Sequence, residues 1–188
     1  MNKPKRNYKL SKIDECQSPR YAVEPILSLL KTLHIKFIWE CAAGDGNLAR
    51  ALLDSGFEVT STDIKTGMDF LDCDFDPHVD AIVTNPPFSL KHLFVEKCME
   101  LRKPWFLLMP VEAIATWRVQ KVLDYTTPGL IKMIIPTKRI NFKMPNKAWS
   151  GNGAQFPTAW YCWDMFIDGI EIFDASHWTK EYRQKLET

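Results

Sequence analysis

The sequence has no Cys-x-x-Cys pair, no apolar run long enough to cross a membrane, and almost no net charge. Each absence removes a class of function. The five cysteines (Cys16, Cys41, Cys73, Cys98 and Cys162) are odd in number and widely scattered. That disfavours a disulfide framework or a zinc site and suits reduced thiols in a cytoplasmic compartment. His34, His78, His92 and His177 lack ligand spacing, so no metal is expected. The basic start, residues 1–12, lacks the apolar stretch of a signal peptide. A formal net charge of +1 gives no overall attraction to nucleic acid. Repeats, low-complexity segments and linkers are missing too. What remains, 188 residues with 46% hydrophobic and 25% charged, suits one compact soluble domain with a real core.

The distribution of charge says more than its sum. Lys3, Lys5, Arg6, Lys9 and Lys12 precede the first acid, Asp14; Asp69, Asp72, Asp74, Asp76 and Asp80 form an acidic cluster. The N-terminal run also reads as a solvated, frayed tail. A second acid-free stretch holds Lys132, Lys138, Arg139, Lys143 and Lys147, interleaved with Phe142, Trp149 and Phe156. Cations among aromatics make a surface for stacked bases and phosphates.

Strands and helices alternate along the chain. Helical periodicity marks residues 21–33, 48–53, 90–101 and, more weakly, 113–123. Short apolar runs mark strands at 36–41, 58–63, 80–85 and 105–109. Residues 130–135 and 159–166 form a final strand pair joined by a long loop with Gly151 and Gly153. The pattern is α/β, with a mainly parallel sheet closing in an antiparallel hairpin.

Such a sheet binds ligands beyond the carboxyl ends of its strands. After the first strand comes Glu40-Cys41-Ala42-Ala43-Gly44-Asp45-Gly46, whose glycines allow a tight turn and close approach of a ligand, although a third glycine is missing. Asp63 ends the second strand, where a carboxylate accepts from ribose hydroxyls or caps the turn at Ile64. Asp69-Phe70 is able to bond an adenine amino group and cover its ring. After the third strand stands Asn85-Pro86-Pro87-Phe88. Proline fixes φ and removes a donor, so carbonyls there escape regular pairing. The Asn85 oxygen and a proline carbonyl then accept from one amino group while Phe88 offers a stacking face. Alone, the same tetrapeptide is a Pro-rich turn.

Together these segments resemble motifs I to IV of the S-adenosylmethionine-dependent N6-adenine methyltransferases. Ser18-Pro19-Arg20-Tyr21 is similar to the family's N-terminal Ser/Thr-Pro element, which approaches the methionine part of the cofactor. The run Asn85-Pro86-Pro87-Phe88-Ser89-Leu90 is especially like DNA adenine methyltransferases of the restriction–modification type. Arg139-Ile140-Asn141-Phe142 with Phe156-Pro157-Thr158-Ala159 resembles their terminal hairpin. The likeness covers roughly residues 18–166.

It implies a Rossmann-like class I methyltransferase fold with a mainly parallel seven-stranded sheet. Residues 18–168 would be the domain, 1–17 a basic N-terminal segment, and 169–188 a tail packed on the domain. S-adenosyl-L-methionine would sit against Ser18, Pro19, Glu40, Ala42, Gly44, Gly46, Asp63, Ile64, Asp69, Phe70 and Asn85. Asn85, Pro86 and Phe88 would be catalytic, and Pro87, Arg139, Phe142 and Lys143 would contact the substrate. The adenine would be turned out of its stack, with Phe142 against it and Asn85 and the Pro86 carbonyl accepting from N6–H. DNA stands ahead of RNA as the partner. RNA methylation on adenine N6 or guanine N2, and a catalytically silent binding subunit, are the alternatives. Larger members carry a separate target-recognition region. Here residues 138–153 are the main candidate for that role, unless low specificity, a homodimer or a specificity partner compensates.

Overall fold

The protein is described by a computed structural model covering residues 8, 12–73, 78–123, 130–143, 156–164 and 167–187. A 3₁₀ turn at Arg20–Val23 leads into α1 (Glu24–Thr32), where Pro25 sits in the first turn and needs no backbone donor. There follow β1 (Phe37–Glu40), α2 (Asn47–Asp54), β2 (Glu58–Ser61), β3 (Ala81–Thr84), α3 (Lys91–Leu101) and β4 (Trp105–Pro110). The chain ends in α4 (Trp117–Val122), β5 (Leu130–Pro136), β6 (Thr158–Asp164), β7 (Gly169–Phe173) and α5 (Lys180–Glu187). The seven strands form one sheet in the order β2-β1-β3-β4-β6-β5-β7. Only β6 runs against its neighbours. The α/β class and the antiparallel closing pair are thus as expected.

The sheet has a helical layer on each face, and the strand period sorts side chains between them. On β4, Phe106 and Leu108 enter one layer with Tyr21, Ile26, Leu30 and Trp160. Trp105, Leu107 and Met109 enter the other with Ile82, Phe94, Val95 and Tyr161. Every residue of β3 and β4 is buried. Both strands therefore read as continuous apolar runs, as strands covered on both faces do. Each fully buried large side chain contributes about 1.5–3 kcal/mol, so these central strands anchor the fold. No helix among the described residues is long and apolar enough to cross a membrane. None of the five cysteines forms a disulfide.

Two elements differ from expectation. Residues 113–123 form a 3₁₀ turn (Val111–Ala115) and then α4, separated by extended Thr116 (φ −86°, ψ 130°). The Thr116 hydroxyl bonds the Ala113 carbonyl at 2.7 Å, a local competitor of a continuous helix. The seventh strand, β7, pairs parallel to β5 from Lys132↔Gly169 to Pro136↔Phe173. Its first four residues are exposed, so it carries no core signature in the sequence.

Beyond β7 the chain returns to α1. The Glu24 carboxylate accepts from Trp178 Nε1 (2.7 Å) and Tyr182 Oη (2.7 Å), and His177 Nε2 lies 2.8 Å away. The Arg183 guanidinium covers the Tyr21 ring at 5.1 Å. Trp178, Tyr182 and Leu186 pack against the core layer. The segment after β7 is thus stapled to α1 and the turn before it.

Candidate active site

From β1 the chain moves outward to β2, then recrosses β1 to reach β3. The loops after β1 and β3 diverge there and open a cleft at the switch point. It is lined by Ala42, Ala43, Gly44, Asp63, Ile64, Asp69, Phe70, Asn85, Pro87 and Phe94, and by Asp14 to Ser18.

Glu40 lies behind the lining, next to Cys41 and 1% exposed at the end of β1. Its Oε1 accepts from the Thr84 hydroxyl (2.5 Å) and the Ala42 amide (3.2 Å). Its Oε2 is buried without a partner. Burial, opposed by those two hydrogen bonds and reinforced by Asp63, raises the Glu40 carboxyl to about 8. Glu40 is thus a mainly neutral acid at neutral pH, with one polar atom unused.

The turn after β1 depends on glycine. Gly44 (φ +52°) and Gly46 (φ +76°) are left-handed, and Gly46 caps α2. A Cβ on Gly44 would lie 2.2 Å from Gln17 Oε1. That oxygen accepts from the Asp45 amide at 2.8 Å. The turn is tied to β2 as well: the Gly44 amide donates to Asp63 Oδ2 at 2.9 Å, and Asp63 Oδ1 takes the Lys65 amide at 2.8 Å. Asp63 therefore caps the turn at Ile64 and keeps one lone pair on each oxygen for a hydroxyl.

At the end of β3, Asn85 is half-buried, Pro86 is buried, and Pro87 and Phe88 are half-buried. Asn85 Oδ1 is sealed from solvent and has no hydrogen-bond partner. Phe88 opens a 3₁₀ turn and meets Phe142 and Phe156 edge-on, at 5.9 and 5.5 Å between ring centres. The two aromatics flanking the hairpin loop thus reach the ring beside Asn85.

Other expected residues have more mixed positions. Ser18 is 6% exposed, and its hydroxyl, facing the cleft, has no partner; Pro19 is buried behind it. Asp69 is engaged by the Tyr8 hydroxyl and the Leu71 amide. Phe70 reaches the cleft but is 2% exposed, stacked on Phe94 at 5.0 Å. Lys143 is exposed and bridges Gln17 through paired 2.9 Å backbone bonds. Arg139 is exposed, its carbonyl facing Arg183, away from the cleft lining. Lys3, Lys5, Arg6, Lys9, Asp74, Asp76, Lys147, Trp149, Gly151, Gly153 and Phe166 lie outside the described residues, as does most of the loop proposed for recognition.

Sequence reasoning missed the strap formed by residues 14–17. Asp14 accepts from the Ser89 amide (3.0 Å) and hydroxyl (2.6 Å), and Gln17 holds both the glycine turn and Lys143. The strap joins the loops after β1 and β3 to the hairpin. Its contacts span long sequence separations, and nothing local announces them.

No protein-family model and no curated protein matches this sequence, but solved structures match the fold. A Listeria monocytogenes protein, provisionally described as a class I S-adenosylmethionine-dependent methyltransferase, superposes with a TM-score of 0.61 at 15% identity, covering 96% of this chain and 71% of its own. A Pyrococcus horikoshii protein, provisionally described as an RNA methyltransferase, gives 0.54 at 17% identity, covering 85% of this chain and 88% of its own. The chain therefore has the Rossmann-like α/β architecture of class I methyltransferases.

Proposed function

We propose that this chain transfers a methyl group from S-adenosyl-L-methionine to the exocyclic N6 of adenine in DNA. The observation that carries the reading is the buried, unpartnered Oδ1 of Asn85 in the cleft that also holds Asp63 and the glycine turn. A buried acceptor left unmet costs about 1–3 kcal/mol, which a ligand donor would recover.

The cleft suits the cofactor on the same grounds. Glu40 Oε2 and Ser18 Oγ are further buried polar atoms without partners, and they suit the amino-acid end. Asp63 has lone pairs for ribose hydroxyls, and Ile64, Asp69 and Phe70 would flank the adenine. When bound, the cofactor supplies an electrophilic sulfonium methyl. The chain's own part is positioning. Asn85 Oδ1 and the Pro86 carbonyl accept from the amino group and hold its lone pair toward the cleft. Phe88, with Phe142 beside it, offers the ring surface for a base turned out of its stack. Hydrogen bonds to the nitrogen strengthen as it gains positive charge in the transition state.

DNA leads because Asn85-Pro86-Pro87-Phe88-Ser89-Leu90 resembles the restriction–modification enzymes. RNA is the second reading, favoured by the Pyrococcus neighbour's description. A silent binding subunit would have no need of intact Asn85 and Asp63. The enzyme would act in the cytoplasm, alone, as a homodimer or with a specificity partner. Labelled methyl transfer to DNA and to RNA, with Asn85→Ala as control, tests the reading. Label should enter DNA and be lost in the variant. Entry into neither polymer, despite a tryptophan-fluorescence change with the cofactor, overturns it.

A further inference from the structure

We propose that the face built from the first turn of α3 and from α4 is the track for the unpaired nucleic-acid strand flanking the target base. Trp117 stacks a base there, and Lys91, His92, Arg118 and Lys121 meet phosphate or sugar. The identity of the strand rests on the function proposed above; the surface itself stands on independent observations.

The first is Trp117. It is 66% exposed, whereas the other described tryptophans are 7% exposed or less. Its ring is not idle on the surface, because the Arg118 guanidinium lies over it at 5.6 Å. A flat ring paired with a guanidinium is the arrangement that stacks bases without regard to sequence.

The second is charge. His92 and Glu96 of α3 and Trp117, Arg118 and Lys121 of α4 line one shallow groove. Among these lining residues Glu96 opposes two permanent cations, and Lys91, the residue before His92, adds a third beside them. Arg118 and Lys91 are close enough to lower the His92 pKa, after burial. The local excess is positive in a chain whose sum is +1. An anionic polymer fits such a groove; an apolar partner does not.

The third is position. β3 and β4 are adjacent and parallel, so the segments leaving their carboxyl ends emerge on the same side of the sheet. One carries Asn85 to Phe88 and then α3; the other carries α4. Lys91 Nζ bonds the Phe88 carbonyl at 3.1 Å, so the basic face begins where the proposed base clamp ends.

The test is fluorescence anisotropy of end-labelled single-stranded DNA and RNA of one sequence, titrated with the wild-type chain and three variants. Trp117→Ala should weaken binding about tenfold, and Trp117→Phe should retain most of it. Arg118→Glu with Lys121→Glu should weaken binding and flatten the log-affinity against log-salt slope by about 1.4, the value for two phosphates on a single strand. S-adenosylmethionine affinity and melting temperature should hold in all three, which separates a lost contact from a lost fold. Equal affinity of Trp117→Ala and wild type, or an unchanged salt slope, overturns the proposal, as does absence of oligonucleotide binding. Preference between the two polymers names the sugar. Trp117-dependent binding without methyl transfer would sink the proposed activity and leave this surface standing. Transfer untouched by the variants would do the reverse.

Discussion

Two carboxylates, Glu24 and Glu40, show how two regions of this molecule differ. Glu24, near the chain's closing segment, meets Trp178, Tyr182 and His177, and both its oxygens are engaged. Glu40, under the cleft, receives Thr84 and Ala42 on one oxygen and nothing on the other. A saturated acceptor is a structural staple; a buried unsaturated one keeps a lone pair able to receive a donor. Ser18 Oγ and Asn85 Oδ1 share the cleft and the same condition. The contrast separates saturated acceptors that hold the fold from unsaturated ones in and beside the cleft.

The contrast breaks most sharply at Asn85. On the proposed chemistry, Asn85→Ala should slow methyl transfer about 10²–10³-fold, the usual effect of removing one preorganised polar contact to a developing charge. Its melting temperature should stay near wild type, because Oδ1 has no partner to lose. Glu24→Ala should do the opposite. It strands the Trp178 and Tyr182 donors, at about 1–1.5 kcal/mol each, and thermal melting should fall by roughly 4–12 °C. Transfer per folded molecule should be unchanged. If Glu24→Ala abolished transfer at full stability, the division into staple and site would be wrong.

Gly44 and Gly56 sharpen the same comparison at smaller scale. Both have positive φ, +52° and +94°. A Cβ at Gly56 meets nothing within 4 Å, whereas at Gly44 it would strike Gln17 Oε1. Gly56→Ala therefore reports backbone strain alone, on the order of 1 kcal/mol in a urea titration. Gly44→Ala adds loss of the Gln17–Asp45 bond and should also weaken S-adenosylmethionine binding several-fold. Equal effects on cofactor affinity would remove the strap from the site.

The parts legible in the sequence were those with local causes. β3 and β4 are apolar throughout because both faces are covered, and the turn at Gly44 and Gly46 announces itself by residue type. β7 was not placed, because an exposed edge strand buries too little to leave a periodic signal. The strap was unreadable for a different reason. Asp14 to Ser89 is a contact across 75 residues, made by side chains with no pattern of their own. Phe70 shows the limit within the motifs. Its type suggested a free ring face, but Trp39 and Phe94 hold it at 5.2 and 5.0 Å, a fact of packing rather than of spacing.

The finest test of the comparison is the pH dependence of stability, read as the difference between wild type and Glu40→Gln. Burial raises the Glu40 carboxyl from about 4.5 to about 8 in the folded chain. The folded state thus binds this proton more tightly than the unfolded state does. Its stabilising contribution is full below pH 4.5, is lost progressively as pH rises, and is gone above pH 8. A glutamine is neutral throughout and carries no such slope. The variant should therefore match wild type near pH 4.5 and become the more stable protein toward pH 8, in urea titrations at each pH. Other groups titrate in this window, but they cancel in the difference. Parallel curves would mean that Glu40 keeps its charge when folded. Its free oxygen would then have found a partner, and Glu40 would be a second Glu24 rather than its opposite.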